Sequence, residues 1–274
     1  MLHLYLAAII ISLTLAMLLE SVLPLHAGTV VPLRRWFRNL TLSALALGAA
    51  FLASSLFWVS SRALGVVPES GLFAEAAVPI WAQWALTFIL LDAVAYGLHR
   101  ASHSIGWLWR LHAVHHSDLE LDATTTHRRH PAESLVSVFV TLPLLLILVP
   151  PVWAVLAYSI TAVVISTLSH GSLALPEWLD KALRPFIVTP AFHRAHHSAN
   201  RIQTDTNYAT VFPVFDYLFR SASPALPDKG RALTIGLETS RDPDSQSLTA
   251  MLLAPFRRQT ERPAGSLRRS DNTN

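Results

Sequence analysis

The sequence predicts an all-α integral membrane protein: a helical bundle of about four to five spans or half-spans beneath a cytosolic, histidine-rich helical cap. Three observations support this fold class. Hydrophobic residues make up 52% of the 274 positions and charged residues only 14%, which is outside the usual range of a soluble domain. Several apolar runs reach the roughly 20 residues that a helix needs to cross a bilayer. Thirteen histidines are present, and eleven of them lie from His99 to His197.

Four apolar stretches define the predicted spans. Three are single crossings: Leu4–Leu23, about Leu40–Val59 and about Ala76–Leu98. We interpret the first as a span rather than a cleaved signal peptide, because no Lys or Arg precedes it. The fourth stretch, at about 135–168, is too long for one crossing and is interrupted by Pro143 and by Pro150-Pro151. We therefore expect a transmembrane hairpin whose two ends lie on the same side.

Arginine placement predicts the orientation. Arg34, Arg35 and Arg38 follow the first span, whereas Arg62 is the one basic residue between the second and third. By the positive-inside rule the N-terminus is then outside, and the segments 99–133 and 171–274 face the cytoplasm. The clustered histidines are therefore expected at one face of the membrane, with His3 and His26 on the opposite side.

The predicted spans and the composition divide the chain into three regions. Residues 1–98 form an N-terminal transmembrane region, and residues 99–221 form a histidine-rich region that includes the hairpin. Residues 222–274 are rich in Arg, Ser, Asp and Pro. We expect this last region to be a polar C-terminal tail that is partly disordered.

Three groups of histidines have helical spacing. They are His99 and His103 in HRASH; His112, His115 and His116 in HAVHH; and His193, His196 and His197 in HRAHH. Residues three and four apart share a helix face, so each group can direct two or three imidazoles toward one point. Neutral imidazole suits iron, zinc, copper and nickel, and without cysteine the metal ligands must be nitrogen or oxygen atoms.

The number of these histidines predicts two metal ions. A structural zinc takes four protein ligands and a catalytic zinc three plus water, whereas the three groups supply eight imidazoles. His130 and His170 either complete the metal shells or form hydrogen bonds at helix ends. His127 is interpreted as a spare polar residue. No Glu-x-x-His pair of the kind found in soluble carboxylate-bridged bundles accompanies the groups.

Asp92 is an ionisable residue inside the third predicted span. It precedes Tyr96 by one helical turn and His99 by two. Such a residue is expensive in lipid and by default functional. We interpret Asp92 as a partner that orients a ligand imidazole, with packing between helices as the alternative.

In their order along the chain, these motifs resemble the fatty acid hydroxylase/sterol desaturase superfamily of membrane di-iron proteins. The resemblance runs through Asp92-x3-Tyr96-x2-His99-Arg100-x2-His103, Leu108-Trp109-x2-His112-x2-His115-His116-Ser117, Asp122-x-Thr124-Thr125-x2-Arg128-x-His130-Pro131-x-Glu133, His170, Pro190-x2-His193-Arg194-x-His196-His197-Ser198, Asn207-Tyr208 and Asp216-x-Leu218-Phe219. It covers roughly Asp92 to Ser221, just under half of the chain.

The resemblance implies a site and an activity. Region 99–221 would be a di-iron catalytic region, with Asp92 and Tyr96 as catalytic residues and two iron ions as cofactors. The ligands would come from ten histidines: His99, His103, His112, His115, His116, His130, His170, His193, His196 and His197. The expected enzyme is an O2-dependent hydroxylase or desaturase of a membrane lipid, such as a sterol or a fatty acyl chain.

Electrons for such a reaction are expected to come from another protein. The sequence contains no flavin, dinucleotide or haem-attachment motif. The expected donor is a cytochrome b5-like protein, a ferredoxin or a reductase. The expected location is a bacterial inner membrane with the catalytic face cytoplasmic, or the endoplasmic reticulum membrane in a eukaryote. No nucleic-acid partner is indicated, and the oligomeric state stays open.

A membrane metal-binding or transport protein that holds zinc or nickel is the competing class. Transport would place ionisable residues along several spans near the midplane, whereas only Asp92 lies inside one here. A zinc-dependent membrane hydrolase is a third class. It is disfavoured because HExxH is absent from the sequence.

Overall fold

The computed structural model describes residues 1–26 and 32–257. Its α-helices, in chain order, are α1 (Leu2–Val22), α2 (Leu33–Ala63), α3 (Leu72–Glu75), α4 (Ile80–Ser104), α5 (Gly106–His116), α6 (Pro131–Leu148), α7 (Val152–His170), α8 (Glu177–Leu183), α9 (Pro190–His196), α10 (Arg201–Thr204), α11 (Val214–Leu218) and α12 (Leu248–Leu253). Five of them, α1, α2, α4, α6 and α7, are long and apolar enough to cross a membrane. The predicted all-α integral membrane bundle is confirmed.

Two spanning helices extend further toward the cap than predicted. Helix α2 begins at Leu33 rather than near Leu40, and Arg35 and Asn39 of its first turns are buried in the cap. There the guanidinium of Arg35 pairs with Asp118, with Nη2 and Oδ2 2.8 Å apart, and also with Asp122. Helix α4 continues past Leu98 to Ser104. The last two turns of that helix therefore carry the first histidine pair.

The predicted hairpin is present as α6 and α7. Pro131 stands in the first turn of α6, where its missing N–H costs no helical hydrogen bond. The helix tolerates Pro143 internally and ends at Leu148, and the following residue, Val149, adopts a left-handed conformation with φ of 43°. The loop before α4 closes over this turn at Gly71. A Cβ there would lie 2.5 Å from the Leu148 carbonyl oxygen, so only glycine allows the approach.

The five long helices gather their cap-side ends at one face. Helix α1 packs along α7 and α2 along α6, while α4 contacts both α6 and α7. After α1, the backbone N–H of Leu25 donates to the carbonyl of Ser172, 2.8 Å away, directly beyond α7. His26 therefore lies on the cap side, where it lines a cavity with Arg194. Its predicted placement on the opposite side is wrong, because α1 itself leads the chain into the cap.

The cap is attached to the bundle by buried polar contacts and by part of the C-terminal region. Arg128 of the cap donates to Asn39 Oδ1 of α2 at 3.3 Å and to the carbonyl of Val114 in α5 at 2.9 Å. Met251 of α12 is buried against Leu42 of α2 and Val114. Part of the predicted polar tail, including Met251, thus packs on the core. The prediction of partial disorder covers residues 222–274, of which residues 258–274 lie outside the described residues.

Candidate metal centre

Nine histidines converge in two groups under the cap. The first, cluster 1, contains His99, His103, His112, His116 and His196, and the second, cluster 2, contains His115, His170, His193 and His197. Within each cluster the candidate ligand atoms all lie within 4.8 Å of one another. Nine of the ten histidines predicted as ligands are therefore brought together, in groups that could each hold a metal ion.

Helical geometry explains how the motifs divide between the clusters. Residues four apart lie on one face, so His112 and His116 share cluster 1 while His193 and His197 share cluster 2. Adjacent residues differ by about 100° around the helix. His115 is therefore directed to the cluster that its neighbour His116 does not join. Each His-His dipeptide in this way contributes one imidazole to each cluster.

Distances between the imidazoles fit a shared metal ion. The Nε2 atoms of His112 and His116 are 3.2 Å apart, and those of His170 and His193 are 3.1 Å apart. Two nitrogens bound at about 2.1 Å to one ion, at angles between tetrahedral and square, are separated by about 3.0–3.4 Å. The donor atoms thus already stand at the spacing that coordination of one ion requires.

Hydrogen bonds donated by Nδ1 determine which nitrogen of the ring is free. His99 Nδ1 lies 2.7 Å from the carbonyl of Tyr208, and His196 Nδ1 lies 2.7 Å from that of Thr206. Because a carbonyl only accepts, Nδ1 carries the proton and Nε2 keeps its lone pair. Both Nε2 atoms are buried and have no hydrogen-bond partner among the described residues. Such atoms are suited to coordinate a metal ion.

Two carboxylates hold further imidazoles of cluster 1. Glu133 Oε1 accepts from His112 Nδ1 at 2.9 Å, and Asp205 Oδ1 lies 3.3 Å from His103 Nδ1. Carboxylate partners fix ring orientation and make the opposite nitrogen a better donor to metal. Neither role is predicted from the sequence. The signal for Glu133 is its place three residues after His130 in the family motif, whereas Asp205 has no signal in the sequence pattern.

Burial keeps the cap imidazoles neutral. Removal from water lowers the pKa of His115, His116, His193 and His197 far below the usual value, with the neighbouring imidazoles as a further cause. For His196, burial lowers the pKa to about 3. Neutral imidazole is the form that binds metal. At neutral pH the rings outside the spans are therefore ready to coordinate a metal ion without first losing a proton.

His130 does not join either cluster. Its Nδ1 accepts from the backbone N–H of Ala132 at 3.1 Å and caps the start of α6, and its Nε2 lies 3.1 Å from the carbonyl of Leu252. Both ring nitrogens are thus used in hydrogen bonds. The structure differs here from the prediction of His130 as a ligand and agrees with the alternative, hydrogen bonding at a helix end.

Asp92, predicted to orient a ligand imidazole, and Tyr96, predicted to be catalytic, form their hydrogen bonds with partners other than the clustered imidazoles. The carboxylate of Asp92 accepts from the backbone N–H groups of Val211 and Phe212, at 3.1 and 3.0 Å, and from Tyr158 Oη at 3.1 Å. Asp92 therefore ties the segment after Tyr208 to the bundle, which is the packing alternative rather than direct orientation of a ligand. The Tyr96 hydroxyl lies 2.8 Å from Ser221 Oγ.

A cavity of about 570 Å³ leads from cluster 1 into the bundle. His99, His112 and Glu133 line its cap end, and its wall reaches Ile9 of α1 and Ser54 of α2, both far from the cap along their helices. All five spanning helices contribute to the wall, mostly with apolar side chains. Its volume is in the range of small-molecule sites. The cavity can present a long apolar molecule to the cluster.

The fold and the clusters define a class of protein: a multi-pass membrane protein with two all-histidine clusters that could hold metal ions, next to an intramembrane cavity. Comparison with known proteins gives the particular family. The sequence model described as fatty acid hydroxylase matches residues 84–221, which is 138 of the 274 residues and so just over half of the chain. The chain belongs to this family, and the predicted resemblance is confirmed.

Relatives come from two groups of lipid enzymes. The alkylglycerol monooxygenase of Homo sapiens is 32% identical over 143 residues, which is 50% of this chain and 29% of that protein. That of Xenopus tropicalis is 30% identical over 149 residues. A very-long-chain aldehyde decarbonylase of Oryza sativa is 29% identical over 154 residues, which is 54% of this chain and 57% of the relative. The aligned part therefore spans about a third of the monooxygenases and just over half of the decarbonylase. No solved structure matches the chain.

Proposed function

We propose that the protein is a membrane-bound di-iron oxygenase that uses O2 and external electrons to hydroxylate or desaturate a lipid-like substrate, such as a sterol or a fatty acyl chain. The observation that carries the proposal is the division of nine histidines, eight of them buried, into two adjacent clusters, one of which opens on an intramembrane cavity. The relatives support oxidation of long-chain lipids, since their names specify alkylglycerols and very-long-chain aldehydes.

The residues of this chain fit two iron ions, one for each cluster. Imidazole nitrogens suit iron, and the unpartnered Nε2 atoms of His99, His103 and His196 supply lone pairs for the ion of cluster 1. Iron in such a site supplies activation of O2 for attack on an unactivated C–H bond. The carboxylate oxygen atoms of Glu133 and Asp205 accept the Nδ1 protons of His112 and His103 and so keep the Nε2 atoms directed inward.

The protein itself provides substrate orientation and exclusion of water. Cluster imidazoles such as His116 and His196 are at most 1% exposed, so the cap separates the reaction from the aqueous phase. The apolar wall of the cavity aligns the hydrocarbon with cluster 1. A hydroxylase and a desaturase share removal of the first hydrogen atom, and the set of metal ligands is the same for both outcomes.

Electrons and orientation complete the proposal. A separate donor, namely a cytochrome b5-like protein, a ferredoxin or a reductase, supplies the electrons at the cap. The cap faces the cytoplasm, in keeping with Arg34 and Arg38 on its side of the bundle. The membrane is the bacterial inner membrane, or that of the endoplasmic reticulum in a eukaryotic host.

Comparative lipid analysis tests the activity. Lipids would be extracted from a host that expresses the protein, from one that expresses His115→Ala, and from one without the gene. One lipid should gain sixteen mass units if the enzyme hydroxylates, or lose two if it desaturates, and only with the intact protein in the presence of O2. Lipid profiles that are identical in the three hosts, or a product that forms without O2, would contradict the proposal.

A further inference from the structure

Two consecutive arginines at the membrane edge have opposite environments. Arg128 is fully buried and donates to several partners in the cap. Arg129 is exposed and lines the cavity that leads to cluster 1. Among the described residues, no side chain or carbonyl forms a hydrogen bond or ion pair with its guanidinium. Arg128 thus has a structural role, whereas the donors of Arg129 are available to a ligand.

The charge of Arg129 faces the interior of the site. It lies close enough to His127 to lower the pKa of that ring, with burial as the larger cause. The cavity wall around it is largely apolar and includes Leu98 and Val136. The one carboxylate in the cavity lining, that of Glu133, is already engaged, since its Oε1 accepts from His112 Nδ1 at 2.9 Å. The guanidinium of Arg129 therefore has no hydrogen-bonded carboxylate among the described residues and is available to an anionic occupant of the cavity.

His127 adds a neutral donor to the same wall. Its ring is 6% exposed, and its Nδ1 lies 3.1 Å from Ser43 Oγ. Burial, followed by the charge of Arg129, lowers the pKa of His127 to about 4, so the ring carries one proton at neutral pH. When Ser43 donates to Nδ1, that proton is on Nε2, which is buried and has no partner among the described residues. His127 can thus donate to an oxygen atom of a ligand.

We propose that Arg129, with His127, binds the anionic group of the substrate, so that the cavity takes a long-chain carboxylate or phosphoester rather than a neutral lipid. This inference rests on the proposed function and names its substrate class. Guanidinium offers a planar pair of N–H groups that matches both anions. The remaining wall, lined by Ala50, Leu91 and Val163, holds the apolar chain.

The test measures binding rather than turnover. Full-length protein in phosphatidylcholine nanodiscs would be labelled with a palmitate analogue that carries a diazirine in its chain, and in parallel with the matched hexadecanol analogue. The wild-type protein should be half-saturated by the acid at a concentration about tenfold or more below that for the alcohol, as expected for charge-assisted hydrogen bonds. Arg129→Ala should abolish this preference, and Arg129→Lys should retain part of it.

Two controls separate binding from folding. Arg110 is exposed on α5 and does not line the cavity, so Arg110→Ala should keep the preference of the wild type. Arg129→Gln keeps the length of the side chain and should lose the preference without loss of thermal stability. Competition by unlabelled palmitate against lysophosphatidate identifies whether carboxylate or phosphate is the bound group.

Two labelling results would overturn the inference. If Arg129 contacts only headgroups of the bilayer, Arg129→Ala and Arg129→Gln will label with the same preference as the wild type, and the inference is overturned. Equal labelling of the wild type by acid and alcohol also overturns it, even if lipid oxidation is observed. Loss of the preference in Arg129→Ala together with an unchanged lipid profile in the host supports the anion site and contradicts the proposed oxygenase.

Discussion

His170 and His130 offer a direct comparison, because the sequence suggests both as ligands and the structure separates them. His170 belongs to cluster 2, where its Nε2 lies 3.1 Å from that of His115. His170→Ala leaves that cluster three imidazoles. Loss of a group that only supports a ligand already costs 10–100-fold in metal affinity, so loss of a ligand should cost about 100-fold or more. We expect the iron content to fall from two ions per chain to about one.

His130→Ala should act on stability instead. Loss of the cap at the start of α6 costs about 1 kcal/mol, and loss of the hydrogen bond to Leu252 costs about 1 kcal/mol more. The free energy of unfolding should therefore fall by about 2 kcal/mol, with the iron content unchanged. Metal analysis after anaerobic purification and thermal unfolding in detergent measure the two quantities. A His130→Ala protein that loses as much iron as His170→Ala would refute the reasoning.

Three further predictions follow from the same contacts. Glu133→Gln should weaken iron binding by about 10–100-fold in chelator competition, because His112 loses its carboxylate partner. The exposed control Glu177→Gln should bind iron as the wild type does. Iron binding by Glu133→Gln that equals that of the wild type would contradict this prediction. Arg35→Ala should lower the free energy of unfolding by about 3–5 kcal/mol, since two buried carboxylates lose their partner, and an unchanged melting temperature would contradict this. Because burial lowers the pKa of His196 to about 3, an unfolded chain with imidazole pKa values near 6.5 binds more protons in acid. The free energy of unfolding of the metal-free protein should therefore fall as the pH drops below about 6.5, by up to about 1.4 kcal/mol per pH unit for each buried imidazole. A melting temperature that does not change with pH in this range would argue against neutral imidazoles.

Local periodicity predicts much of the fold. Apolar length identifies the five long helices, and the proline pair at 150–151 identifies the turn of the hairpin. Boundaries at the cap are less predictable, because they depend on tertiary contacts. Helix α2 extends to Leu33 because Arg35 finds buried carboxylates in the cap, and no pattern within α2 indicates this.

The candidate site shows the same division between local and distant information. Spacing within HAVHH and HRAHH predicts which histidines share a helix face. The 100° step between neighbouring helical residues also accounts for the two histidines of each His-His pair joining different clusters. Asp205 could not be predicted as the partner of His103, since the two residues meet only when the cap folds. His130 and His170 each stand at a helix end in the sequence, and only tertiary position separates a capping residue from a candidate ligand.

The central claim is that the two histidine clusters each hold one iron ion. Metal analysis of the anaerobically purified full-length protein, with the protein quantified by amino-acid analysis, tests it most directly. The account predicts two iron ions per chain in the wild type, with zinc and nickel near background. One ion per chain, or zinc as the bound metal, would contradict it.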